Sequence, residues 1–464
     1  MMNLPKDFIY GAATAAYQAE GAIQENNKGK TYWDDYLAEQ AIFDPSNASD
    51  FYHLYPEDLR LAKEFGLNGI RISIAWTRIF PDGIGQKNEA GIAFYHQLID
   101  TCLAEGVEPY VTLHHFDTPQ PLYLEGDWLN RKNLDYFLAF AKVCFEEYGH
   151  KVTKWITINE PWSVVAGQYI VGHFPPNIHY DIPKAIQAMH NMMLAHAKVV
   201  TLYKDMNLPG EIGIVQILES KYPITAANED IAAAHLEDTL ANRFMLDAMF
   251  KGFYTAETLA TINMILAKNN GTLQIEASDR LLLETAAKQN DFLGVNYYTS
   301  HFLKAYEGEN RIHHNGTGEK GSSVFALKGV GERVFNPDIP TTDWDWPIYP
   351  KGLYDMLVRI KNDYPNYQKI YVTENGMGYK DDIIDGEIDD TPRIDYIEQH
   401  LEAISIAIKA GVNVKGFFLW SLMDVFSWTN GYNKRYGLFY VDFDTQNRYP
   451  KKSAYWYKNL SLRN

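Results

Sequence analysis

Cysteine is almost missing from this chain: Cys102 and Cys144 are the only two in 464 residues, and each falls in a helix-like stretch. A disulfide framework is therefore not expected, and a reducing cytoplasm fits. Cations are scarce too, with 42 Lys and Arg against 59 Asp and Glu and a net charge of −17. That balance argues against a nucleic-acid or anionic-membrane partner, and it makes any local basic cluster more informative. No apolar run reaches membrane-spanning length, so no membrane partner is expected. The start, Met1-Met-Asn-Leu-Pro-Lys-Asp-Phe, lacks a basic region followed by an apolar one, and no signal peptide is read there. The glycosylation-type triplets at Asn47, Asn270, Asn315 and Asn459 are then chance matches. Neither GxGxxG nor a Walker motif occurs, and His114, His115 and Asp117 lack the HxH or HExxH spacing of metal ligands. No cofactor and no metal are expected.

What is present is a regular alternation. Short β-branched or aromatic runs at 8–14, 69–76, 108–114, 154–159, 211–218, 291–297, 369–374 and 416–420 read as strands. Segments of helical period lie between them, at 56–65, 90–105, 133–148, 183–206, 231–251, 351–363 and 393–409. Most of the strand runs are nearly continuous in apolar residues, as in a parallel sheet covered by helices. Eight such strands make an α/β fold, a (β/α)8 TIM barrel with elaborated βα loops, the expected architecture. No linker composition or internal repeat divides the chain, so residues 1–464 read as one domain. The polar, Gly-rich stretch 306–340 is too long for a plain connection and reads as a lid or wall of the active site. His313 and His314 within it read as solvated loop residues.

Two glutamates close strand runs far apart in the chain: Glu160 ends Lys154-Trp-Ile-Thr-Ile-Asn-Glu-Pro, and Glu374 ends Lys369-Ile-Tyr-Val-Thr-Glu-Asn-Gly. A rigid strand fixes such a carboxylate while the Pro or Gly turn opens it to a ligand. Two carboxylates facing one cleft are what glycoside hydrolysis needs. Barrel active sites lie at the C-terminal ends of the strands. There the chain offers Tyr17, Gln18 and Glu20, then Arg71, His115, Asn159, Asn296, Tyr298 and Trp420. These amide, imidazole, phenol and indole groups suit a hydroxyl-rich ligand. Singly, each has a plainer reading: Gln18 capping a turn, Arg71 in a structural pair, His115 in the core. Their coincidence at one barrel face favours the site.

On these motifs the chain resembles family 1 of the glycoside hydrolases, retaining β-glycosidases on a (β/α)8 barrel. Phe8-Ile-Tyr-Gly-Ala-Ala-Thr-Ala-Ala-Tyr-Gln-Ala-Glu-Gly is similar to the family's N-terminal signature. Thr157-Ile-Asn-Glu-Pro is similar to its acid/base motif, and Val372-Thr-Glu-Asn-Gly to its nucleophile motif. The resemblance implies Glu160 as general acid/base and Glu374 as nucleophile, roughly 5–5.5 Å apart. Arg71 and Tyr298 are then expected to hydrogen-bond Glu374 and keep it ionised, while burial and the Glu374 charge raise the pKa of Glu160. Asn159 is expected at the sugar 2-hydroxyl, with Gln18, His115, Asn296 and Trp420 on the rest of the ring and Trp346 against the leaving group.

One departure narrows the substrate. Plain β-glucosidases of the family carry a Glu between the Phe and Trp that follow the eighth strand; here the segment reads Phe426-Ser427-Trp428. The missing carboxylate removes repulsion towards an anionic group at C6, and Ser427, Lys434 and Tyr436 can donate to a phosphate. Two or three hydrogen bonds to a charged group, each about 1.5–3 kcal/mol, give roughly a hundredfold preference or more. The pattern resembles the phospho-β-glycosidase branch. Trp428, near the sugar O4 by that resemblance, points to a 6-phospho-β-galactosidase acting on lactose 6-phosphate-type disaccharides in the cytoplasm. A 6-phospho-β-glucosidase or a dual enzyme is the alternative, and a non-catalytic sugar-phosphate binder the distant one.

Overall fold

The computed structural model describes residues 4–40 and 43–462. Residues 1–3, part of the segment read above for a signal peptide, and residues 41, 42, 463 and 464 lie outside the described residues. Eight parallel strands close into a barrel, Ile9–Ala13, Gly69–Ser73, Glu108–His114, Lys154–Asn159, Glu211–Ile217, Phe292–Asn296, Ile370–Asn375 and Val414–Trp420. Each pairs with its neighbours in chain order, and the first closes on the eighth with Ala13 opposite Trp420. Helices intervene between the strands, which is why the second strand, Gly-Ile-Arg-Ile-Ser, is buried at every position. The (β/α)8 architecture expected from the strand runs is the one observed.

Large rings fill the lower barrel. Tyr110 meets Phe418 at 4.7 Å and Tyr371 at 5.3 Å between ring centroids. Gly11 is required there, because a Cβ on it would run into the Phe418 ring. This packed floor leaves the C-terminal end of the barrel as the open one, where the strand-end residues converge.

Some boundaries differ from the sequence reading for local reasons. The second strand stops at Ser73, because the Ala75 N–H donates to the Tyr95 hydroxyl at 2.7 Å; Trp76–Ile79 then forms a helical turn. The helix expected to start at Pro56 starts at Phe51 and carries Pro56 inside it. The helix expected at 231–251 begins at Asn228 and contains π-turns at Thr239–Arg243 and Asp247–Lys251. The stretch 306–340 is not irregular. Arg311–His313, Val324–Leu327 and Gly331–Val334 join His301–Lys304 and Lys221–Pro223 in a five-stranded sheet that walls the barrel mouth.

Candidate active site

Both glutamates sit where a barrel strand loses its register. The fourth strand slips against the fifth between Ile156 and Asn159, and the seventh slips against the sixth between Val372 and Glu374. Such irregularities re-aim side chains at a strand end. Glu160 adds a left-handed backbone, φ 44° and ψ 66°, just before Pro161 opens the next helix. A non-glycine residue held there stores strain, a cost kept where a side chain must point one way.

A connected set of polar groups joins the two carboxylates. The Arg71 guanidinium, fully buried, donates to Thr112 Oγ1 at 3.1 Å, to Asn159 Oδ1 at 2.7 Å and to Glu374 Oε1. Tyr298 donates its hydroxyl to Glu374 Oε2 at 2.5 Å. Asn296 donates to Glu160 Oε1 at 2.5 Å and to Asn159 Oδ1 at 3.1 Å, and accepts from Thr373 Oγ1 at 2.8 Å. Ser163 donates to Glu160 Oε2 at 2.6 Å. Asn296, expected at the sugar, has its amide and carbonyl both engaged by protein and is not among the residues that line the cavity.

Burial and the Glu374 carboxylate push Glu160 up to about 8, opposed by Ser163, Asn296 and Arg71. Burial raises Glu374 as well, while Arg71 and Tyr298 oppose that rise. The two expected contacts to Glu374 are present, yet the net shift is upward, because the same closed site that supplies the donors removes water from the carboxylate. His115 is held neutral, pushed well down by burial and the nearby Arg71. The Asn159 amide faces His115 Nε2 at 3.3 Å, which leaves the proton on the buried, otherwise unpartnered Nδ1. Gln18 donates to the Phe426 carbonyl at 2.7 Å and keeps its buried Oε1 unpartnered. A donor and an acceptor thus stand buried without a protein partner on two residues of the site.

Glu160, Glu374, Gln18, His115, Asn159 and Tyr298 line one cavity of about 360 Å³, together with Trp346, Trp420, Ser427, Trp428, Lys434 and Tyr436. Arg71 and Asn296 stand in the layer behind. Trp420 stacks on His115 at 5.8 Å and 18°, and Trp428 lies parallel to Tyr17 at 5.9 Å while packing on Trp33 at 4.7 Å. Glu20 does not reach the cavity set; it is committed to Arg78 Nε at 2.6 Å and the Tyr95 hydroxyl at 2.7 Å.

Lys434 is only 3% exposed, with its ammonium 3.8 Å from the Trp346 ring centroid and 5.5 Å from that of Tyr436. Burial alone pushes it well below the ordinary lysine value, and no carboxylate among the described residues pairs with it. Arg435, the neighbouring base, turns away to Asp424 at 2.6 Å. A buried lysine without a counter-charge is held towards its neutral amine, and a negative charge placed beside it would restore the ammonium form.

The sequence profile for Glycosyl hydrolase family 1 matches residues 1–464. The chain belongs to this family. It is 67% identical over 461 residues to a 6-phospho-beta-galactosidase of Clostridium acetobutylicum, spanning 99% of this chain and 97% of the relative. It is 58% identical over 460 residues to one from Streptococcus equi subsp. zooepidemicus, spanning 99% and 98%. Among solved structures, the β-glucosidase BglU of Micrococcus antarcticus superposes with a TM-score of 0.91 at 33% identity, covering 99% and 98% of the two chains. A β-glucosidase of Exiguobacterium marinum gives 0.89 at 36%, covering 100% and 99%.

In this family 1 chain several site residues escape sequence reasoning. Ser163 follows Glu160 by three positions, the spacing of a helix-start side chain, and that spacing was the available signal. His314, expected in solvent, is half-buried and stacks on His173 at 4.8 Å and 12° in the cavity wall. Burial and the nearby Lys434 push it down to about 4. His313 is exposed, as expected. His114 donates to or accepts from Thr118 Oγ1 at 3.0 Å, and no group of three metal-ligating side chains occurs among the described residues. No helix among the described residues is long and apolar enough to cross a membrane.

Proposed function

We propose that this chain is a retaining 6-phospho-β-galactosidase that hydrolyses 6-phosphorylated β-galactosides through a covalent glycosyl-enzyme. The observation that carries the reading is the buried Lys434, without a carboxylate partner, in the same cavity as Glu160 and Glu374. A 6-phosphate supplies the missing counter-charge, restores the ammonium form, and accepts from Lys434, Ser427 and Tyr436. The relatives named 6-phospho-beta-galactosidase at 67% and 58% identity support the same substrate class. A phosphate-bearing sugar does not cross a bilayer unaided, so the reaction is assigned to the cytoplasm.

In the first step a Glu374 oxygen bonds to the anomeric carbon while Glu160 gives its proton to the departing glycosidic oxygen. Glu160, pushed up to about 8, holds that proton at neutral pH. Esterified Glu374 has lost its charge, which lowers Glu160 and lets it take a proton from water as the water oxygen attacks the same carbon. Arg71 and Tyr298 favour the anionic form of Glu374, and Asn159, Gln18 and His115 hold sugar hydroxyls. Trp428 flanks O4 and Trp346 the leaving group, with Trp420 beneath the ring.

The test is a paired assay with nitrophenyl β-galactoside 6-phosphate, its unphosphorylated form and nitrophenyl β-glucoside 6-phosphate. The galactoside 6-phosphate is expected to give the highest kcat/KM. A preference for the unphosphorylated galactoside would overturn the phosphate reading, and a preference for the glucoside 6-phosphate would reassign the sugar.

A further inference from the structure

Lys434 lies against a residue with no side chain. A Cβ built on Gly378 would stand 2.6 Å from Lys434 Cε, 2.6 Å from Cγ and 3.1 Å from Cδ, and its three nearest neighbours all belong to that one lysine. Gly378 does not have the positive φ that would itself demand glycine. What the missing side chain provides is room for the lysine stem.

Neither partner has slack elsewhere. The two loops are stitched together one residue on, with the Tyr379 N–H donating to Arg435 O at 2.9 Å and the Arg435 N–H donating to Tyr379 O at 3.2 Å. Arg435 is anchored by Asp424 at 2.6 Å and the Val441 carbonyl at 2.8 Å, and Asp424 is held in turn by Lys451 at 2.6 Å. At its tip the lysine nitrogen lies over the faces of Trp346 and Trp344, 3.8 Å and 4.9 Å from the ring centroids. A methyl group at position 378 leaves the backbone in place, so the flexible lysine stem is what must move.

We propose that Gly378 is a specificity-determining residue: its bare backbone lets Lys434 lie flat across the turn after the seventh strand and aim its ammonium at the substrate phosphate. The proposal rests on the phosphate reading above. Gly378 acts through Lys434 and is a positioning residue; it does not line the cavity itself.

The experiment is a double-variant cycle on Gly378→Ala and Lys434→Ala. Its readout is the ratio of kcat/KM for nitrophenyl β-galactoside 6-phosphate to that for nitrophenyl β-galactoside. Gly378→Ala is expected to lower this ratio about tenfold, mainly through KM for the phosphorylated substrate, and by less than about twofold once Lys434→Ala has removed the stem. An unchanged ratio, or an equal fall in both backgrounds, would overturn the proposal while leaving the phosphate reading intact. A ratio unmoved by Lys434→Ala alone would overturn the phosphate reading and the proposal with it. If Gly378→Ala does not fold, the double variant is expected to recover the melting temperature of Lys434→Ala; a double variant that remains unfolded would overturn the contact.

Discussion

Asn296 donates one side-chain amide to Glu160 at 2.5 Å and to Asn159 at 3.1 Å, so the Glu160 carboxylate and the Asn159 side chain share a single donor group. Asn159 in turn accepts from Arg71, which also holds Glu374. The two carboxylates are thus linked through side chains on the second, fourth and sixth strands rather than by direct contact. Asn296→Ala removes a hydrogen bond to an ionisable group, worth about 1.5–3 kcal/mol, and is expected to lower kcat by roughly 10–100-fold. The same bond favours ionised Glu160, so its loss moves the alkaline limb of the pH profile upward. A limb that moves to lower pH would contradict the assignment.

Glu160 carries a pH prediction of its own. Its acid form is lost as pH rises through about 8, and kcat/KM is expected to fall on that limb. The stability sign follows from the same shift. The folded value of about 8 lies above the roughly 4.3 of a free glutamate. This contribution to stability is therefore complete below the unfolded value and is lost as pH rises to the folded one. Glu160→Gln has no charge to bury, so its melting temperature relative to the parent is expected to rise between those limits. A difference independent of pH would show that Glu160 does not titrate there.

Much of this site was legible in the chain, and the reasons are specific. Glu160 and Glu374 stand out because nearly continuous apolar, β-branched runs break abruptly at Pro161 and before Gly376. Residue type, however, does not give direction. Asn296 shares its type and strand-end position with Asn159, yet it pairs with Glu374 across a register break, and its side chain is taken up by Thr373 and Glu160. The stretch 306–340 reads from its composition as a lid or wall, but its strands do not show, since strands as short as Arg311–His313 are too brief to carry alternation. Gly378 gave no signal at all, because its significance is the stem of a residue distant in sequence.

The nucleophile assignment predicts a separable chemistry. Glu374→Gln is expected to lose turnover by several orders of magnitude, because a neutral carboxamide cannot replace the carboxylate that bonds to the anomeric carbon. Glu160→Ala is expected to lose about 10²–10⁴-fold on a sugar leaving group, and much less on a nitrophenolate, which departs without protonation. Measuring both substrates with both variants separates the roles. Equal losses of Glu160→Ala on the two leaving groups would contradict the acid role.

Ser427 gives the strongest test of specificity. It lines the cavity that holds Lys434 and Tyr436, and no carboxylate pairs with Lys434 among the described residues. Ser427→Glu places a carboxylate in that wall, where it does two things. It repels the 6-phosphate, and like charges brought together in a recognition site cost several kcal/mol. It also offers Lys434 a partner, so the ammonium no longer needs the substrate for a counter-charge. Both effects act in the same direction. The phosphorylated galactoside is expected to lose at least about 100-fold in kcat/KM, while the unphosphorylated galactoside gains. Lys434→Met separates the contributions, because it removes attraction without adding repulsion and is expected to raise KM for the phosphorylated substrate by roughly 10–100-fold. If Ser427→Glu kept its preference for the phosphorylated galactoside, the phosphate would have to bind away from this wall, and the buried lysine would lose its role.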